Sequence, residues 1–543
     1  MQTLHKIRTA SLFFIFCLLF GIALVNLYFL QIKQHSFFVD LAKQQYACTV
    51  TTFHPRASII DRNGIPLALN KETTSAFIMP RAIKEKTKLL LFLEEHFPEA
   101  AERYKKNPHA HFSYIKRKLS SEEQELLEKS SLIDIHFLHE PSRYYPLESA
   151  GSLTGITDID NKGLFGVELL CNEQLTGTPT TAQIEKDARS GKFYFSKTTQ
   201  SEGAPGISLA LTIDAHLQFL VHEELLTTLE KFQAQEGAAL VMDPETGDLL
   251  ALASYPSFDP NNPITFQDTT KNRAITESYE FGSLLKTFCA LAALEEHVVE
   301  YDEYIDCLNS KSAYVDGRKV NNWEALGVVP FADVIKRSNN IGIAQIAKRL
   351  DTALYEHYLR LGFGTKTGVT FPGEQSGFVM PPERWSKQSI ISLSYGYEIT
   401  STLLQIARAF CIFANDGHLI VPRLIKDKET PEPQKVYSTQ SINLMRTILE
   451  ETTSSQGTGK KAAIHGYTTL GKTSTTNLLK NGEYDPTKNM YGFAGIIEKG
   501  DYKRVIACFV KEAQHQNLYA STVAAPLFEK IAERMLMHDK ILN

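Results

Sequence analysis

Three short stretches carry the residue types that acyl transfer needs. Ser283-Leu284-Leu285-Lys286 sets a hydroxyl one helical turn before an amine. The apolar helical pattern that runs on to Leu294 puts this serine at or near a helix N-terminus. A lysine so placed activates a weak serine nucleophile without histidine. The second stretch is Ser338-Asn339-Asn340 and the third is Lys472-Thr473-Ser474-Thr475. Alone, each has an ordinary explanation: a helix cap with a surface lysine, a turn before a helix over 341–350, a polar strand. Their order, S-x-x-K then S-x-N then K-T-x-T, is what points to an acyl-serine enzyme.

Each residue then has an expected task. Ser283 attacks a carbonyl, and Lys286, with a pKa lowered by desolvation, takes the proton. Ser338 relays a proton between Lys286 and the leaving amine. Asn340 hydrogen-bonds the amide backbone of the substrate, with Asn339 beside it as a further binding residue. Lys472 adds positive potential opposite Lys286. Thr473 and Thr475 offer hydroxyls to a substrate carboxylate, and Ser474 between them is a further substrate-binding residue. The backbone N–H groups of Ser283 and Thr475 form the oxyanion hole, because a helix N-terminus and an edge strand both present unpaired donors.

Two other strings compete. Lys366-Thr367-Gly368 is a literal K-T-G, but it sits between helical segments and reads as a loop. Lys472 is preferred because it ends a strand starting at Tyr467 and precedes strands over 491–497 and 505–510. Gly457-Thr458-Gly459-Lys460 lacks the first glycine and the Ser/Thr of a phosphate-binding loop, which argues against nucleotide binding.

The elements that must position these residues follow from pattern. An apolar helix pattern opens at Ser283, and helices dominate from there to about Phe413. Apolar strands are expected over 238–242 and 249–254, joined by the turn Asp243-Pro244-Glu245-Thr246-Gly247. Asp214 has cap chemistry for a helix through Leu229, preceded by a short strand over 209–213. A last helix spans about 525–535. Strands at both ends enclosing helices imply an α+β domain with one antiparallel sheet and a helical subdomain. Further upstream, Asn63-Gly64 marks a hairpin with a return strand over 65–69. The Lys/Glu-rich region 84–138 reads as helices with solvated faces. The polar stretch 187–206 reads as a domain boundary.

At 543 residues the chain is long enough for roughly three to four domains. A net charge of -5 gives no nucleic-acid footprint. Residues 9–32 hold no charge and are long enough to cross a bilayer as a helix. Lys6 and Arg8 before them favour a cytoplasmic N-terminus, so the remainder is expected outside the cytoplasm. Among the seven cysteines, Cys289, Cys411 and Cys508 fall in apolar runs and read as small buried hydrophobes rather than a disulfide framework. No metal-ligand spacing occurs, so no metal or other cofactor is expected.

With these residues in hand, the chain resembles a class B penicillin-binding protein, and most the division type known as penicillin-binding protein 3. The resemblance covers nearly the whole length. Arg56–Gly64 is similar to the family's juxtamembrane R-G-x-I-x-D-R-x-G, with Ala57 for the first glycine. Arg143-Tyr144-Tyr145-Pro146 and Gly163–Glu168 match its pedestal. Tyr279-Glu280-Phe281-Gly282-Ser283 matches the approach to the nucleophile, and Gly457-Thr458-Gly459 a later segment. The resemblance implies a cytoplasmic tail over 1–8, a signal-anchor over 9–32, a non-catalytic pedestal over 33–205 and a penicillin-recognition transpeptidase domain over 206–543. It implies peptidoglycan stem peptides ending in D-Ala-D-Ala as substrate and β-lactams as covalent ligands. Implied partners are a polytopic glycosyltransferase and other divisome membrane proteins in the bilayer.

The chain departs from the family pattern in three places. Phe281 and Leu284 stand where proline and threonine are usual, and Ser474 stands for glycine. Glycine lets a ligand backbone approach a strand closely, so Ser474 is expected to weaken acylation. Two other readings stay open at this point: an elongation-type class B transpeptidase, and a penicillin-binding scaffold or sensor with little turnover.

Overall fold

Every residue from Leu285 to Leu294 is buried, so the helix that follows Ser283 is buried all round and runs through the core. The computed structural model describes residues 2–52, 54–186, 193–262, 270–480, 482–514 and 517–540. They form two compact units: Met1–Pro55 with Thr176–Gly206, and Arg56–Leu175 with Ile207–Asn543.

The first unit opens with the helix Gln2–Tyr28 and a π turn over Phe29–Lys33. The segment Leu4–Lys33 is 30 residues long with mean hydropathy 2.5, enough for a single-pass membrane anchor. A three-stranded antiparallel sheet, with Thr180–Lys186 between Ala47–Thr52 and Phe193–Ser201, completes the unit. Of the polar stretch 187–206, residues 187–192 lie outside the described residues, and Phe193–Ser201 is a strand of this sheet.

The second unit is built on one five-stranded antiparallel sheet. Its strands are β1 (Glu236–Met242), β2 (Leu249–Tyr255), β3 (Thr468–Lys480), β4 (Glu483–Lys499) and β5 (Tyr502–Lys511), in the spatial order β2-β1-β5-β4-β3. On one face pack α1 (Ala215–Phe232) and the C-terminal helix Ala524–His538. On the other lie α2 (Leu285–Glu295), α3 (Asn340–Leu350), α4 (Leu403–Cys411) and α5 (Thr439–Thr453). Local chemistry sets their starts. The Asp214 carboxylate accepts from His216 N and Leu217 N at 3.0 Å, and Thr402 with Gln405 forms a capping box, so N-terminal donors that lack helical partners are satisfied.

β3 is an edge strand, and an edge must be covered or used. Thr453 Oγ1 donates to Thr469 O at 2.6 Å, and Thr452 Oγ1 donates to Gly471 O. The end of α5 thus closes the edge up to residue 471. The strand does not end at Lys472, as the sequence suggested, but continues to Lys480 in register with β4. The K-T-x-T string lies mid-strand.

Strands Pro66–Ile78, Ile135–Tyr144, Ser113–Lys116, Ile59–Ile60 and Leu209–Ala210 make a second sheet of this unit. The return strand is therefore longer than expected, and two strands interrupt the region 84–138 that read as helical. The expected strand over 209–213 is only Leu209–Ala210, parallel to Ile59–Ile60. Beneath this sheet, Glu168 is fully buried between Arg56 Nε at 2.7 Å and Arg143 Nε at 2.6 Å. Such a cluster tolerates loss of a partner poorly, because a charge is then left buried and unpaired. The Asn63-Gly64 turn, with Gly64 at φ +89°, docks on the start of α1. There Asp61 Oδ2 accepts from Ala215 N at 3.0 Å and Asn63 Nδ2 donates to Asp214 Oδ2 at 2.8 Å. The six cysteines whose side chains are described are free thiols, and all but Cys17 are buried.

Candidate active site

Gly282–Leu284 forms a 3₁₀ turn that leads directly into α2, and Gly282 adopts φ +50°, a conformation glycine takes without strain. The turn leaves Ser283 half-buried on the wall of a cavity of about 780 Å³. Lys286, one helical turn on, is fully buried. Its Nζ donates to Ser338 O at 2.7 Å and to Ser338 Oγ at 3.1 Å.

Ser338 sits at φ +54° in the tight link between Phe331–Lys336 and α3. From the opposite side Lys472, also fully buried, donates from Nζ to Ser338 Oγ at 2.9 Å and to Thr473 O at 3.0 Å. Two buried amines therefore converge on one hydroxyl. Burial, with the nearby Lys472 charge second, holds the Lys286 ammonium well below the ordinary lysine range. Burial also brings Lys472 down to about 7. Lysine, unlike arginine, shifts its pKa readily when desolvated.

Ser283, Ser338, Asn340, Thr473 and Thr475 all line the cavity. Asn340 is fixed by its N–H donating to Asn322 Oδ1 and its Nδ2 donating to Asn321 O, both at 2.6 Å. This spends donors on the protein and leaves the carboxamide oxygen as an acceptor. Thr473 Oγ1 donates to Thr458 Oγ1 at 3.1 Å, and Thr475 Oγ1 accepts from Ala520 N at 2.9 Å.

Two expected binding residues are elsewhere. Asn339 is 1% exposed and caps α3, its Oδ1 accepting from Gly342 N at 2.8 Å. The cap and the motif share three consecutive residues, and the cap takes the middle one. Ser474 is 2% exposed; alternation along β3 sends its side chain to the face that packs on the nucleophile turn. The rival lysine, Lys366, is exposed and not on the cavity wall. Its neighbour Thr367 is buried and donates from N and Oγ1 to Glu374 at 2.6 Å, which makes that string a structural loop.

Sequence reasoning missed most of the cavity's other wall: Trp323, Arg337, Gln456, Lys460 and Tyr519. Trp323 Nε1 donates to Arg337 O at 2.8 Å, and Arg337 pairs with Glu324. Trp323, Arg337 and Tyr519 come from segments without a recognisable spacing. A signal did exist for Thr458 and Lys460: the Gly457–Lys460 string dismissed as a phosphate loop lies on this wall. Asp214, His216 and His538 also come together at the start of α1. Both Asp214 oxygens already accept hydrogen bonds there, so the cluster reads as a helix cap.

Residues 237–533 match the penicillin binding protein transpeptidase domain, and residues 51–211 match the penicillin-binding protein dimerisation domain. The chain belongs to the penicillin-binding protein transpeptidase family. Its relatives include the probable peptidoglycan D,D-transpeptidase PenA of Neisseria meningitidis, 28% identical over 93% of this chain and 88% of that protein. The peptidoglycan D,D-transpeptidase FtsI of Escherichia coli is 29% identical over 88% of this chain and 82% of that protein. The fold is that of penicillin-binding protein 3 from Mycobacterium tuberculosis in complex with aztreonam. The TM-score is 0.71 at 24% identity, with 91% of this chain and 98% of that one covered. Family membership makes this penicillin-binding protein a transpeptidase with the mixed helix and strand fold expected from its sequence.

Proposed function

We propose that this penicillin-binding protein is a membrane-anchored serine D,D-transpeptidase that cross-links peptidoglycan stem peptides during septal wall synthesis. The observation that carries the reading is the convergence of Lys286 and Lys472 on Ser338 Oγ beside the cavity that Ser283 lines. Ser283 Oγ attacks the penultimate D-alanine carbonyl, and neutral Lys286 takes its proton. The N–H groups of Ser283 and Thr475 stabilise the oxyanion. The proton passes through Ser338 to the departing D-alanine amine, and an amine from a second stem then resolves the ester. Asn340 holds the donor peptide, while Thr473 and Thr475 hold its terminal carboxylate. A β-lactam acylates Ser283 by the same attack.

The anchor is residues 9–32, the pedestal 33–205 and the transpeptidase domain 206–543, with the bulk of the chain outside the cytoplasm. Likeness to FtsI supports the septal role and, with it, a polytopic glycosyltransferase and other divisome membrane proteins as partners. The test uses the detergent-solubilised full chain. Benzylpenicillin should add one drug mass, and a pentapeptide donor with an amine acceptor should release D-alanine and give a cross-link. Neither product would sink the reading. Depletion giving spheres rather than filaments would replace the septal role with one in elongation.

A pH profile checks the lysine roles. Acylation needs Lys286 neutral and Lys472 charged. The rate should depend on Lys286 giving up its proton below the ordinary lysine range and on Lys472, brought down to about 7, keeping its own. The result is a bell whose limbs belong to the coupled pair. A benzylpenicillin acylation rate still rising through pH 9 would contradict these assignments.

A further inference from the structure

Ser474 is the residue whose position runs most against expectation. Its Oγ donates to Phe281 O at 2.5 Å and lies 3.3 Å from Thr476 Oγ1. Phe281 O also accepts from Leu284 N at 3.2 Å, the bond that closes the nucleophile turn. We propose that Ser474 is a positioning residue: its hydroxyl pins strand β3 to the Phe281–Ser283 turn and so sets the gap between the two oxyanion donors.

The bond joins neighbours of both donors. Phe281 is two residues before Ser283, and Ser474 is one before Thr475. The sheet ladder fixes β3 only on its β4 side, so a direct bond to the turn fixes its distance from the nucleophile. Packing points the same way. A Cβ on Gly282 would stand 2.5 Å from Thr476 Oγ1 and 3.0 Å from Ser474 Oγ. The strand hydroxyls therefore rest on bare turn backbone. On the far side, a Cβ on Gly396 would stand 2.2 Å from Gly282 O. The turn is held between β3 and the Tyr395–Tyr397 segment, and the Ser474 bond is its polar contact with the strand. Oxyanion donors act by preorganisation, and a misplacement of about 1 Å costs on the order of a hundredfold in rate.

The inference rests on the transpeptidase reading, and acyl-enzyme formation separates the two. The full chain and its Ser474→Ala and Ser474→Thr variants are acylated with benzylpenicillin. Saturating acylation rate, half-saturating concentration and the acyl-ester carbonyl stretch are measured. Ser474→Ala should acylate roughly tenfold more slowly at saturation, with half-saturation unchanged. Its ester carbonyl should absorb at higher frequency, because the donors polarise it less. Ser474→Thr, which keeps the hydroxyl, should recover most of the rate. A wild type that forms no ester overturns the transpeptidase reading. A Ser474→Ala variant matching the wild type in rate and carbonyl frequency overturns the pin alone.

Discussion

Ser283→Ala is expected to abolish covalent labelling by benzylpenicillin while leaving the protein folded. The Ser283 hydroxyl faces the cavity at the start of a helix buried throughout its length, and removing one such half-exposed hydroxyl changes stability by at most about 0.5 kcal/mol. The chemistry responds quite differently. Lys286 is buried behind the serine with its hydrogen bonds committed to Ser338. Ser338 Oγ in turn accepts from both amines. Neither Lys286 nor Ser338 is thus free to replace Ser283 as the nucleophile. Intact mass and thermal melting measured side by side check this. A drug-mass adduct persisting in a folded Ser283→Ala protein would overturn the assignment of the nucleophile.

The second large effect separates two lysines that a motif search confuses. Lys472→Ala should slow benzylpenicillin acylation by about 10² to 10³-fold, the scale on which loss of one preorganised electrostatic contact in a desolvated site is felt. Lys472 is fully buried and reaches Ser338 Oγ at 2.9 Å, so its removal strips positive potential from the point where protons are exchanged. Lys366→Ala should leave the rate within twofold or so, because an exposed charge is screened by water. Acylation rates of the two variants decide the matter. The reverse pattern would assign the K-T-G loop to the site and leave β3 with a structural role.

The linear order of Ser283, Lys286, Ser338, Asn340 and Lys472 was legible because local spacing encodes local geometry. A lysine three residues after a serine in a helix must share its face. Strand and helix types in the transpeptidase part followed for the same reason: β1, β2, β5 and the second half of β4 are apolar runs between turn signals, and α1 carries its cap in Asp214. Errors came where two local signals overlapped. Asn339 belongs to both a motif and a helix cap, and the cap takes its side chain. Polar residues 473–477 hid the continuation of β3, since an edge strand beside a cavity needs no apolar alternation.

The sequence by itself determined the residues, their order and the class of chemistry. The tertiary structure decided what no spacing can encode. It buried Lys286 and Lys472 from opposite elements around one hydroxyl, and burial rather than identity lowers their pKa values. It brought Trp323 and Tyr519 to one cavity from loops nearly two hundred residues apart. It also turned Ser474 inward onto Phe281 O. On a strand the side-chain face is set by register, and register is fixed by the partner strand and the packing beneath it.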